Sequence, residues 1–197
     1  MKSEIYSGTH SGTHIRLLIE GALFIAFATV LSYIKIFDMP FGGSITLEML
    51  PLVIMALRNG VKWGCLTGFV HGLIQMVIGF SNVLYCNTFI AQIGCVILDY
   101  IAAFTVLGLA PFFAGCVGKN RRAGFLTGSV AVGALRFLCS FLSGCLLWGS
   151  YAPEGMNVAL YSFLYNGAYM LPDTIILAAV VLLLQEKLPK LFPQVKG

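Results

Sequence analysis

AGFLTGSVAVGALRFLCSFLSGCLLWGS, residues 123–150, holds a single charged residue, Arg136, in a run of otherwise apolar, small and hydroxyl-bearing side chains. At a rise of ~1.5 Å per residue, a helix of this length exceeds the ~30 Å hydrocarbon core of a bilayer. A soluble domain could not cover so apolar a helix with polar groups. The same pattern recurs on both sides of this run. Apolar segments lie at residues 16–37, 46–57, 61–80, 87–116 and 157–184. The segment 46–57 is short for a crossing and needs a tilt or a contribution from the residues before it. Composition agrees: 58% of the chain is hydrophobic and 10% charged, against about 25% charged in soluble domains.

These runs predict an all-α integral membrane protein with six transmembrane helices. One membrane domain spans residues 1–197: a polar, exposed N-terminal tail at 1–14, a six-helix bundle at 16–184 and a cytoplasmic tail at 185–197. The N-terminal stretch is too polar for a signal peptide. Ten of the twelve Lys and Arg residues fall on one side of these segments, with Lys35 near the other side and Arg136 inside a span. The positive-inside rule then puts both termini in the cytoplasm and the loops at 38–46, 81–86 and 151–156 outside. The net charge of +4 follows from this topology and does not signal nucleic-acid binding.

Small residues set the packing. Gly60, Gly64, Gly68 and Gly72 recur every four residues, a smooth stripe that admits a close neighbouring helix. Ala22 and Ala26 form a second small pair, suited to internal packing or to a partner protein. The six cysteines, with no C-x-x-C spacing, read as small buried hydrophobes rather than as a disulfide or zinc pattern. His71 reads as a helix-packing histidine.

Polar residues within a membrane are costly and need a reason. Asp99, Arg136, Asn166 and Asp173 stand out. Counted from the inner ends of their helices, Arg136 and Asp173 lie at depths of ~20 and ~17 Å. Opposite charges at matching depth predict an ion pair, or a role in transport. Arg136, Ser140, Gly144 and Trp148 share one helix face by their four-residue spacing: polar, then small, then aromatic toward the outside. Tyr161, Tyr165 and Tyr169, with Ser162 and Asn166, form a matching face on the last segment. Trp148 and Tyr161 suit an interfacial aromatic belt or the walls of an outward-open pocket. In the pocket reading, a cationic, flat ligand would gain cation–π attraction from the rings and a charge-assisted hydrogen bond from Asp99.

Other chemistries find no support. The fragment Gly115-Cys116-Val117-Gly118-Lys119 has the wrong spacing for a phosphate loop and lacks the following Ser or Thr. Ser143-Gly144 follows Phe141-Leu142, so no serine-nucleophile motif forms. No catalytic residue, metal ligand or cofactor is expected.

The run RFLCSFLSGCLLWGSYAPEGMNVALYSFLYNGAYMLP, residues 136–172, resembles the thiamine-specific S components of energy-coupling factor (ECF) transporters. So do GGSITLEMLPLVIMALRNG at 42–60 and LDYIAAF at 98–104. With the six-segment pattern the likeness covers nearly the whole chain. It implies a thiamine-binding subunit of the bacterial cell membrane. The pocket would open outward between the fourth to sixth helices, under the loop joining the first two. The subunit would work with a transmembrane coupling protein and two ATPases. It implies substrate-binding roles for Asp99, Tyr100, Ser140, Gly144, Trp148, Tyr161 and Asn166, with Tyr85 a further candidate, and contact of Ala22 and Ala26 with the coupling protein. Two positions depart from the family: Asp99 stands where Glu is common, and Ser140 where His is common. The aromatic of the first outer loop would be Phe37 or Phe41. The alternatives are an S component for another vitamin or a thiamine-related pyrimidine, an intramembrane enzyme, or a structural protein without a ligand.

Overall fold

A computed structural model describes residues 5–40, 42–86, 88–118 and 120–192. Expectations that fall on residues 1–4, Phe41, Asn87, Lys119 and 193–197 lie outside the described residues. Among the described residues, five helices are long and apolar enough to cross a membrane, and one shorter apolar helix is buried along most of its length. We label them α1 (Ile5–Tyr33), α2 (Met49–Asn59), α3 (Val61–Ile78), a short α4 (Phe80–Leu84), α5 (Phe89–Gly115), α6 (Arg121–Leu146) and α7 (Val158–Lys187). The expected polar tail at 1–14 is thus largely helical, because α1 begins at Ile5.

α1 stops at Tyr33, short of the expected 37. Phe37 belongs instead to a small antiparallel hairpin, β1 (Phe37–Asp38) with β2 (Ser44–Ile45), in which Phe37 pairs with Ile45 and Asp38 with Ser44. Gly42 and Gly43 turn the chain between the strands, both at positive φ, a conformation glycine adopts without steric cost.

α2 is too short to cross a bilayer alone at ~1.5 Å per residue. Its residues Met49 to Leu57 are all buried, so it forms a central strut. Around it Leu52, Val53 and Leu57 join Phe104, Leu107, Phe125, Leu177 and Val181 in the main core. Of the expected glycine stripe, Gly64, Gly68 and Gly72 pack closely, whereas Gly60 precedes α3 at positive φ with no atom near the place of its missing Cβ. A Cβ on Gly72 would lie 2.6 Å from the Tyr100 carbonyl oxygen, and one on Gly68 would strike that of Phe104. α6 and α7 make the most extensive helix pair.

The outer faces carry Leu18, Leu23, Phe27, Val30, Leu142, Leu164 and Ile175, all exposed. So much contiguous exposed apolar surface suits lipid and not water. At the C-terminal end the first part of the expected tail, up to Phe192, packs against the bundle. α7 continues to Lys187, and Phe192 is buried with its ring 4.9 Å from that of Phe125. Arg58 and Arg121 donate to the Leu191 and Phe192 carbonyls, and Arg58 also pairs with Glu20.

Candidate functional site

Between the hairpin and helices α3, α5, α6 and α7 lies a cavity of about 450 Å³, a size that suits a small organic ligand. α5 is not a uniform helix where it meets this cavity. Residues Val96–Ala102 form a π-helical turn with Asp99 inside it. Such turns change the direction of side chains and often occur at functional positions. Asp99 Oδ2 accepts a 2.6 Å hydrogen bond from Ser143 Oγ and lies 3.4 Å from Trp148 Nε1. Its carboxylate is thereby fixed by one group of the next helix, α6, and one just beyond its end. No cationic side chain contacts it among the described residues.

α6 presents Arg136, Ser140 and Gly144 to the cavity from one face. The helix ends at Leu146, so Trp148 leaves the helical register, yet its indole still lines the cavity, 5.6 Å from the Tyr151 ring. α7 adds Tyr161, Tyr165, Asn166 and Tyr169; the Tyr161 and Tyr165 rings lie 5.6 Å apart. Gly144 is where α6 and α7 approach most tightly in this region: a Cβ there would collide with the Ser162 hydroxyl and lie 3.2 Å from Asn166 Nδ2.

The cavity therefore gathers Asp99, Tyr100, Ser140, Gly144, Trp148, Tyr161 and Asn166. Tyr85 is not among its walls. It is exposed, and its carbonyl accepts from the Tyr151 hydroxyl. Asn166 is already engaged: its amide donates to the Ser162 carbonyl at 2.9 Å, and its oxygen accepts from Tyr169 at 2.8 Å. Tyr100 donates to the Gly79 carbonyl at 3.0 Å.

The expected Arg136–Asp173 pair does not form. Arg136 Nη2 instead contacts Glu48 Oε1 at 2.6 Å, and Asp173 accepts from the Thr46 backbone N–H at 2.9 Å. Glu48 escapes the sequence reading because it lies at the start of the 46–57 segment, where an acid reads as interfacial. It is buried, and its other oxygen accepts from Gln75 at 3.3 Å. His71, fully buried, lies against Gln75 and edge-on to Phe104. The hairpin closes one wall. Tyr165 donates to the Gly42 carbonyl at 3.0 Å, and the Tyr169 ring packs on Gly43. Ala22 and Ala26 are exposed on the outer face of α1, while Gly21 and Ala28 face the bundle. Among the described residues, no three His, Cys, Asp or Glu side chains converge as metal ligands would.

A carboxylate fixed beside an indole and a tyrosine wall has the chemistry to attract a flat, positively charged molecule. The family model described as thiamine transporter protein (Thia_YuaJ) matches residues 18–193. The chain belongs to the thiamine transporter protein family. It is similar to the thiamine transporter ThiT of Bacillus subtilis (37% identity over 91% of this chain and 95% of that protein). ThiT of Lacticaseibacillus paracasei is 30% identical over 89% of this chain and 90% of its own length. The solved structure of ThiT from Listeria monocytogenes superposes with a TM-score of 0.76 at 27% identity, covering 91% of this chain and 98% of that one. As a thiamine transporter family member with several long apolar helices, the protein is a multi-pass membrane protein. The described cavity is thus the candidate ligand site of a family whose named members are transporters.

Proposed function

We propose that this protein is the thiamine-binding S component of an ECF-type vitamin importer in a bacterial cell membrane. In this reading it spans the membrane six times with both termini inside, and takes thiamine from outside into the cavity between the hairpin and α5–α7. The observation that carries the reading is Asp99. A carboxylate fixed 2.6 Å from Ser143 and left without a cation faces a cavity walled by Trp148, Tyr161 and Tyr165. The aminopyrimidine of thiamine supplies N–H donors for that carboxylate, and its thiazolium supplies the positive charge that the rings attract. Asp99, Tyr100, Ser140, Gly144, Trp148, Tyr161 and Asn166 are the proposed contacts. Ala22 and Ala26, small and exposed on the membrane face of α1, suit close docking of a coupling protein, through which two ATPases would supply the energy.

Tryptophan fluorescence during thiamine titration tests the binding claim. The chain has two tryptophans. Trp148 lines the cavity and Trp63 does not. Thiamine should quench the emission saturably in the wild type and in Trp63→Phe, and leave that of Trp148→Phe almost unchanged. A wild-type signal that stays flat, with no heat of binding by calorimetry, would sink the reading. Co-purification with a coupling protein and ATPases, lost in Ala22→Leu/Ala26→Leu, tests the assembly.

A further inference from the structure

A row of hydrogen bonds beside the cavity fixes which way the amide of Gln75 points. The Glu48 carboxylate offers only acceptors. Gln75 therefore turns its nitrogen toward it, with Nε2 at 3.3 Å from Glu48 Oε2. The second N–H of that nitrogen meets His71 Nε2, also at 3.3 Å, so this ring nitrogen accepts. The fully buried imidazole then carries its proton on Nδ1, which faces the Thr29 hydroxyl at 3.5 Å. Thr29 donates its own proton to the Ile25 carbonyl at 2.9 Å, which leaves its oxygen to accept. The directions of the whole row thus agree, from α1 to the cavity wall. One acceptor is left over. Gln75 Oε1 accepts no hydrogen bond among the described residues, and it is not enclosed by them. Gln75 lines the cavity.

We propose that Gln75 is a specificity-determining residue whose amide oxygen accepts a hydrogen bond from the hydroxyl of the ligand. The inference rests on the proposed thiamine reading. Thiamine carries hydrogen-bond donors in two places, the amino group of its pyrimidine and the hydroxyl of its side chain. The reading gives the amino group to Asp99, which leaves the hydroxyl. A ligand that closes over this oxygen without supplying a donor leaves a carbonyl unpaired, and that penalty is the basis of discrimination. His71 and Glu48 have positioning roles. They hold the nitrogen of the amide, so its oxygen is turned away from them. Gln75 also brings α3 into a site otherwise assigned to α5, α6 and α7.

Calorimetry on the detergent-solubilised full chain compares thiamine with the analogue that carries ethyl in place of hydroxyethyl. In the wild type, loss of the hydroxyl should weaken binding roughly 3- to 10-fold, the range for one neutral hydrogen bond. Gln75→Met keeps the length of the side chain but has no oxygen, and the two ligands should then bind almost equally. Gln75→Lys keeps a donor for Glu48 and has no acceptor. Its charge repels both cationic ligands alike, so both affinities fall and the two again become nearly equal. A purely structural role would lower both affinities and keep their ratio. Nitrogen-15 NMR of histidine-labelled protein, with His10 and His14 replaced by Gln, adds a readout that leaves the site intact. His71 should carry its proton on Nδ1, with Nε2 bare. A proton on Nε2 would turn the amide oxygen of Gln75 toward the ring and overturn the inference. So would a wild-type ratio near one, or a ratio unchanged in either variant. In each of these cases thiamine binding itself stands. No binding of thiamine to the wild type overturns the functional reading, and this inference with it.

Discussion

Asp99 of α5 and Ser143 of α6 are joined across two helices by a 2.6 Å hydrogen bond from the serine hydroxyl to the carboxylate. The bond engages one carboxylate oxygen, Oδ2, which also lies 3.4 Å from Trp148 Nε1. It also ties the π-helical turn of α5 to the face of α6 that carries Ser140 and Gly144. The negative charge of the site is therefore held by the packing of two helices and not by a mobile loop.

Asp99→Asn retains the shape and an oxygen for Ser143 but removes the charge. Thiamine binding should weaken by about 2–5 kcal/mol, the usual cost of losing one member of a buried charged contact. The apparent melting temperature in detergent should barely move, because no ion pair within the protein is broken. Calorimetric titration of the purified variant decides the matter, and an unchanged affinity would place the ligand elsewhere.

Gly144→Ala tests the close approach of α6 to α7. The added methyl would collide with the Ser162 hydroxyl, which donates to the Phe141 carbonyl at 2.8 Å, and would press on Asn166. Overpacking of this kind costs about 1–3 kcal/mol, and here it falls on a cavity wall. Thiamine affinity should drop roughly tenfold, with a modest loss of thermal stability. Gly167→Ala is the matched control. Its methyl would meet only the Phe137 ring at 4.0 Å, so both affinity and stability should stay close to wild type.

Much of this site was legible because helical spacing is a strict geometric constraint. Four-residue spacing put Arg136, Ser140 and Gly144 on one face, and the structure keeps them on one cavity wall. Depth along a helix is less informative, since it fixes height but not azimuth. Arg136 and Asp173 match in height, yet the guanidinium turns to Glu48. Glu48 approaches from a segment whose entry into the bundle depends on the hairpin, and two-residue strands around Gly42-Gly43 leave almost no periodicity to read. The π-helical turn at Asp99 is invisible for a similar reason, as one extra residue per turn does not alter an apolar run. Tyr85 fell outside the cavity because α4 breaks the chain between α3 and α5, a break that apolar composition does not mark.

The Glu48–Arg136 pair should be strongly non-additive. Arg136→Met alone leaves a buried carboxylate without its partner, which costs about 3–5 kcal/mol. Glu48→Gln alone leaves a buried guanidinium without its counter-charge and should be destabilising in the same way. Removing both charges avoids either penalty, so the double variant should be more stable than Arg136→Met. Thermal unfolding followed by size-exclusion chromatography in detergent gives the comparison. Additive losses would mean that the two side chains are stabilised independently, against the 2.6 Å contact.

The hairpin is held over the cavity by backbone geometry as much as by side chains. Gly43 has φ of 85°, and a Cβ there would lie 2.6 Å from the Tyr169 ring. Tyr169 in turn donates to Asn166 at 2.8 Å, so the residue that touches the hairpin also touches the proposed ligand shell. Gly43→Ala imposes a left-handed conformation on an L side chain, at about 1–2 kcal/mol, and adds the ring clash. The backbone strain belongs to the turn itself, whereas the ring clash acts on the docked hairpin and not on a hairpin lifted from the cavity. The lifted state should gain population, and thiamine should dissociate roughly tenfold faster, since ~1.4 kcal/mol is a factor of ten in an equilibrium. Tyr169→Phe removes the hydroxyl but keeps the ring against Gly43, so it should perturb Asn166 without releasing the hairpin. Stopped-flow displacement of thiamine by excess competitor separates the two. Equal dissociation rates for Gly43→Ala and the wild type would mean that the hairpin does not gate the cavity.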